Sequence, residues 1–323
     1  MPSCGPGLGG AAIASDGTTR GFAECNGNPD GPIWYFRHRP GAAPARQLTP
    51  YTGAVLAVAW DGVGATYVVF QQGSQLKIAK RTEAGGAYSP ITTLTTTGAN
   101  ARLFTADVVA SNGQWWAVWS EQVGPGGEFA QTELFQRHTL LGVQPRTRIT
   151  ATASNIDDDQ PALAYLNGKV TLAWTRAVDP AVPGPSDIRI ATSTGGAWSS
   201  RLFASLGTAN YDPDVFVAGV VTFVTWGRDG RVVVADNGTG SFVSRTFGTP
   251  GFIPSVAYSF GKVFVAWVSD PGNQVVVAER SGGVWTSAAV VGAPSAPTVV
   301  LAQGGKARVV YRTTSQVAIR TQI

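Results

Sequence analysis

Residues 254–287 read PSVAYSFGKVFVAWVSDPGNQVVVAERSGGVWTS, and the chain writes this unit several times. PALAYLNGKVTLAWTRAV, from residue 161, matches its first half, and DIRIATSTGGAWSSRLF, from 187, matches its second. PDVFVAGVVTFVTWGRDGRVVVADNGTGSFVSRTF, from 213, is the whole unit, and PTVVLAQGGKARVVYRTTSQVAIR, from 297, is its first three parts. DVVASNGQWWAVWSEQ at 107 and AVAWDGVGATYVVFQQGSQLKIAKRTEAGGAYS at 57 follow the pattern with more drift, and residues from 12 onward give the faintest copy. Self-similarity at a fixed period is the mark of a stacked-repeat architecture.

Each unit holds four short alternating runs, A to D, separated by turns. Run A ends in a hairpin signal such as Asn112-Gly113, Asn167-Gly168 or Phe260-Gly261. Run B ends near an aromatic, at Phe70, Trp119, Trp174, Trp226, Trp267 and Tyr311, 41 to 55 residues apart. Run C ends in a glycine turn followed by Tyr88, Trp198, Phe242 or Trp285. Glycines there permit positive φ, and the ring that follows is expected to wedge between neighbouring units. Four strands per unit at this period predict an all-β fold, a single β-propeller of four-stranded antiparallel blades. Counting gives seven blades, with six as the alternative. The expected boundaries are 1–10 for an N-terminal segment, then blades at 11–50, 51–97, 98–150, 151–205, 206–248, 249–292 and 293–323. The last unit lacks run D. It closes either with a strand lent from the N-terminus, for which MPSCGPGLGG is a poor candidate, or as a three-stranded blade.

The 323 residues carry only 14% charged side chains and a net charge of +4. The arginines are scattered, without a basic stripe, so no nucleic-acid partner is expected. No apolar run reaches the length of a membrane span. Cys4 and Cys25 are the two cysteines. A disulfide between them would pin the N-terminus and place the protein in an oxidising, extracellular setting.

The C–D turns TSTGGAWS, ERSGGVWT, KRTEAGGAYS and DNGTGSFVS keep a glycine and an aromatic. In this they resemble the Asp-box (BNR) propellers, the superfamily that includes sialidases, whose turn reads Ser-x-Asp-x-Gly-x-x-Trp. The Asp is missing or displaced here. The resemblance implies the fold. It does not carry over the sialidase catalytic set, because Phe36-Arg37-His38-Arg39-Pro40 lacks the Ile of that family's Arg-Ile-Pro motif and falls at a C–D turn. Propeller lectins are similar in plan.

Chemistry in such a ring is expected on the face shared by the D–A and B–C loops, because sites sit on loops held by a rigid scaffold. The D–A connections carry Asp107, then NIDDDQP with Asp157, Asp158 and Asp159, then NYDPD with Asp212 and Asp214. Clustered carboxylates divide acid and base roles in glycoside cleavage, bind Ca²⁺ through many oxygens, or cap turns. Asp157, Asp158 and Asp159 are the candidate Ca²⁺ ligands. Glu24, Asp159 and Asp212 are the candidates if the protein is an enzyme. Glu24 stands where other units place the aromatic of run B, and a carboxylate buried there unpaired would be costly. Glu121, Phe129, Arg176, Tyr211 and Arg228 are the candidate ligand contacts, on or beside loops of that face.

The main expectation is a secreted recognition module that binds a glycan or cell-surface ligand without catalysis. The alternatives are a carbohydrate-active enzyme, a glycoside hydrolase or lyase using the loop carboxylates, and a scaffold for a protein partner.

Overall fold

The computed structural model describes residues 6–321 apart from 26–29, 98–104, 124–130, 140–143, 152–155, 178–184, 205–208, 272, 293–295 and 313–316. Strands and turns account for the described residues, and every strand pairs antiparallel with its neighbour. The first sheet holds β1 (Pro6–Ile13), β2 (Thr19–Cys25), β3 (Pro32–His38) and β4 (Ala45–Thr52). The second holds β5 (Ala54–Trp60), β6 (Ala65–Gln72), β7 (Gln75–Thr82) and β8 (Thr92–Thr96). The third holds β9 (Ala106–Ser111), β10 (Gln114–Gln122), β11 (Thr132–His138) and β12 (Thr147–Arg148). The fourth holds β13 (Asp157–Leu166), β14 (Lys169–Ala177), β15 (Ser186–Ser193) and β16 (Ser199–Ala204).

The next two units are continuous. β17 (Asn210–Ala218), β18 (Val221–Arg228), β19 (Arg231–Asp236), β20 (Val243–Ser259), β21 (Lys262–Ser269), β22 (Gln274–Ser281) and β23 (Val284–Gly292) form one seven-stranded sheet. β24 (Ala296–Gln303), β25 (Lys306–Arg312) and β26 (Val317–Thr321) form the last.

The β-propeller arrangement of small antiparallel sheets is therefore present. The expected division into seven, or six, separate four-stranded blades is corrected: there are five small sheets of three or four strands and one of seven. The cause is β20. Val243–Thr246 and Pro250 pair with β19, and Gly251–Ser259 pair with β21, so the chain passes between units without leaving strand conformation. The N-terminal segment also differs from expectation, since Pro6–Gly10 joins β1 across a bulge between Pro6 and Gly9.

The first strands of successive units lie side by side. β1 packs beside β5, β5 beside β9, and so through β13, β17 and the second half of β20 to β24, which returns to β1. The described residues show no strand shared between the ends: β1 pairs with β2 alone, and the last sheet has three strands. Side-chain bonds secure the seam instead. Arg308 donates to the Gly17 carbonyl and to Thr19 Oγ1 (3.2 Å), and Gln303 donates to the Ser15 carbonyl.

Run B strands are covered on both sides, so they lose the in–out alternation of a half-exposed strand. β6 is buried from Ala65 to Gln71, and Phe70, Trp119, Trp174, Trp226 and Trp267 are all at or below 2% exposure. The rings after the C–D turns do wedge between units. Tyr88 meets Tyr51, Trp198 meets Trp116, Phe242 meets Phe203 and Trp285 meets Phe247, each edge-on with centroids 4.6–5.6 Å apart. Edge-to-face pairs at this spacing stabilise beyond the apolar area they bury, by roughly 1 kcal/mol each.

Candidate functional site

The mouth of the ring is built by bulges. In β13, β17 and β20 the register slips between Asp159 and Ala162, Tyr211 and Asp214, and Phe252 and Ser255. Each slip holds one residue at positive φ just before a proline: Gln160 (54°), Asp212 (49°) and Ile253 (51°). A non-glycine residue in the left-handed region is uncommon and costs free energy, and bulges re-aim side chains. Here they turn Gln160 and Asp212 toward each other.

Gln160 joins the two units. Its Nε2 donates to Asp212 Oδ1 (2.6 Å), and its Oε1 accepts from the Asp212 N–H (3.0 Å) and from the Thr175 hydroxyl (2.9 Å). Its own N–H donates to Asp159 Oδ1 (2.7 Å). The Thr105 hydroxyl donates to the same Asp159 oxygen and shares a 2.7 Å bond with Ser120. Gln160 thus binds both carboxylates, Asp159 through its backbone N–H and Asp212 through its side-chain amide. Burial, and after it the charge of Asp159, raises the Asp212 pKa above the usual carboxylate range. An acid with a raised pKa beside a second carboxylate suits divided acid and base roles.

Deeper in the ring, carboxylates bind strand to strand. Asp107 on β9 accepts from the Leu163 N–H of β13 (2.6 Å) and from the Val108 N–H (2.7 Å). Asp214 on β17 accepts from the Val256 N–H of β20 (2.8 Å) and from the Val215 N–H (2.8 Å). Enclosure pushes Asp107 up to about 7 against its two hydrogen bonds, with the Asp214 charge adding to the rise. Asp214 is raised by the same burial. Both knit adjacent units together by closing otherwise open backbone donors.

The three consecutive aspartates expected to hold Ca²⁺ do not converge. Asp157 accepts from the Thr132 N–H (2.6 Å) and hydroxyl (3.0 Å), one unit back. Asp158 is fully buried and takes a two-pronged pair from Arg176, Nε at 2.7 Å and Nη2 at 2.9 Å, together with the Trp174 indole N–H at 2.7 Å. Only Asp159 faces the mouth. Among the described residues, no group of three or more metal-binding side chains comes together.

Most of the expected ligand contacts support the frame. Arg176 is committed to Asp158. Glu121 accepts from the Trp119 indole (3.0 Å) and from Arg146 (2.9 Å). Tyr211 lays its ring on Gly227, where a Cβ would come within 2.2 Å of it, and its hydroxyl accepts from the Gly230 N–H (3.1 Å). Arg228 ends β18 and pairs through its backbone with Asn210 and Arg231. Glu24 is buried near the end of β2, opposite Ile33. Phe129, Cys4 and the Cys25 side chain lie outside the described residues.

Sequence reasoning missed Gln160, Thr105 and Thr175. The only signal for Gln160 was its place before Pro161, in the position that Asp212 holds before Pro213. It also missed a buried cluster at the opposite end of the first two sheets. There Glu83 accepts from the Tyr35 hydroxyl (2.7 Å) and lies 3.2–3.3 Å from Arg81 and Arg20. Arg20 stacks on Trp60 (4.4 Å) and Arg81 on Tyr35 (4.1 Å). Burial and the Glu83 acceptor raise the Tyr35 pKa, so this phenol stays protonated and structural.

No family model and no curated protein matches the chain. Solved structures do. A Mycobacterium tuberculosis puromycin-hydrolysing peptidase superposes on 99% of the chain at 16% identity and a TM-score of 0.60, and the chain spans about half (53%) of its length. The polysaccharide lyase Uly1 covers 97% of the chain and 88% of its own at 10% identity, with a TM-score of 0.65. A Hadza microbial sialidase, Hz136, covers 94% and 73% at 9% identity, with a TM-score of 0.57. At such identities the likeness shows the fold. The expectation of a recognition module without catalysis is nonetheless corrected in favour of its alternative. The similar propellers include a lyase and a sialidase, and the loop-rich face presents two acids bonded to Gln160.

Proposed function

We propose that the chain is a carbohydrate-active enzyme that cleaves glycosidic bonds at the mouth of the propeller. Asp212 is the proton donor to the departing sugar oxygen. Asp159 is the carboxylate that works against it, on the sugar or through a water. Gln160 is a positioning residue that fixes both. The observation that carries this reading is the Asp159–Gln160–Asp212 unit, held at positive φ at two adjoining bulges. An extracellular setting belongs to the same reading, because polymeric glycans are met there and a Cys4–Cys25 bond would persist.

The test is turnover of arabinan, alginate and sialyllactose by the purified chain. Release of reducing ends without unsaturated sugar marks a hydrolase, and unsaturated ends mark a lyase. Asp159→Asn and Asp212→Asn should each lose on the order of 100-fold or more in rate while keeping cooperative unfolding. Turnover that survives both substitutions contradicts the assignment.

A further inference from the structure

One groove lies far from the acids. In the seven-stranded sheet, Asp212 lies where β18 ends and β19 begins, and Asp236 lies at the other end of β19, opposite Phe223. At that second end a groove of about 440 Å³ opens between β19–β20 and β22–β23. This is within the size range of small-molecule sites.

Its lining combines three chemistries. Trp285, half-buried, is braced edge-on against Phe247 at 5.2 Å, which leaves an indole at the wall. Arg280 and Asp236 form an ion pair, and Thr239 and Ser244 add hydroxyls. Arg245 is exposed and rests over the Phe247 ring at 5.9 Å. Among the described residues it has no carboxylate partner. Two guanidinium groups against one carboxylate leave the groove with an excess positive charge. An aromatic wall, hydroxyl-binding groups and an unpaired guanidinium together match a sugar ring bearing a carboxylate.

We propose that this groove is a second saccharide-binding site, separate from the mouth, that takes a uronic-acid unit of an anionic polysaccharide. The sugar's apolar face lies on Trp285 and its carboxylate meets Arg245, as a planar fork that grips carboxylates. Arg280 and Asp236 meet the ring hydroxyls. The site does not depend on catalysis at the mouth.

Native gel electrophoresis in alginate, compared with neutral dextran and with polymer-free gel, tests it. Asp212→Asn protein is used so that turnover cannot interfere. Alginate should retard the protein and dextran should not. Trp285→Ala and Arg245→Ala should each weaken retardation about 10-fold, the size of one good contact. Arg39→Ala, which removes an exposed charge elsewhere, should leave it unchanged. The proposal is overturned if alginate does not retard the protein. It is also overturned if Arg245→Ala retains full retardation, or if Arg39→Ala weakens it as much. Arg245 is a surface residue, so its variant keeps the test valid should Trp285→Ala loosen the sheet.

Discussion

Single carboxylates in this protein differ by depth. Asp159 and Asp212 are both tied to Gln160 at the mouth, whereas Asp107 and Asp214 hold backbone N–H groups of the next unit. Asp107 carries a pH signature. Its native pKa, about 7, lies above its ordinary 3.8. The stability it contributes is therefore full below pH ~4 and is lost as pH rises through 7. Asp107→Asn should flatten the fall of Tm between pH 4 and 7, as read by calorimetry at a series of pH values. Asp212 sets a second limb. As a proton donor with a raised pKa it should lose activity as pH rises through that pKa, and a rate profile that climbs with pH over the same range would exclude the role.

Asp158 shows the cost of burying a charge. Arg176→Ala would leave a fully buried carboxylate with only the Trp174 indole among its present side-chain donors. The expected loss is about 3–5 kcal/mol in urea unfolding. A loss below about 1 kcal/mol would show that the pair does not stabilise the fold.

At the scale of strands, the repeat made most of the architecture legible. Alternation, turn glycines and the aromatic of run B predicted strand order and the inter-unit wedges, because these are local and recur in every unit. What stayed illegible was what breaks the repeat. β20 runs 17 residues through a junction where a loop was expected, since nothing in TFGTPGF breaks strand geometry enough to end pairing. The bulges were equally hidden. Gln160 reads as an ordinary polar residue until Pro161 and the slipped register are seen together, so the site was half legible: its acids were named and the residue that joins them was not. Asp157 and Asp158 looked like Asp159 in sequence. Asp158 differs because alternate residues of a strand face opposite ways. Asp157 differs because Thr132 takes it up, while Asp159 adjoins the bulge. Close packing at the strand ends is also testable. A Cβ on Gly251 would meet Trp267 Cδ1 at 2.2 Å and the Val268 carbonyl at 2.7 Å. Gly251→Ala should cost roughly 1–3 kcal/mol by overpacking, and denaturant unfolding measures it.

The whole molecule is a ring whose ends meet by packing and a few side-chain bonds. That leaves two faces with different chemistry. One presents the coupled acids, and the other presents the Glu83 cluster and the Trp285 groove. In the proposed function, acids at the mouth perform chemistry while the deeper ones hold the ring. The most direct measurement compares Asp212→Asn with Asp214→Asn, two residues apart on β17, for turnover and Tm side by side. Asp212→Asn should lose turnover on the order of 100-fold or more with Tm nearly unchanged, and Asp214→Asn should lower Tm while the folded fraction keeps its activity. Full activity in folded Asp212→Asn, with loss in Asp214→Asn at unchanged Tm, would contradict it.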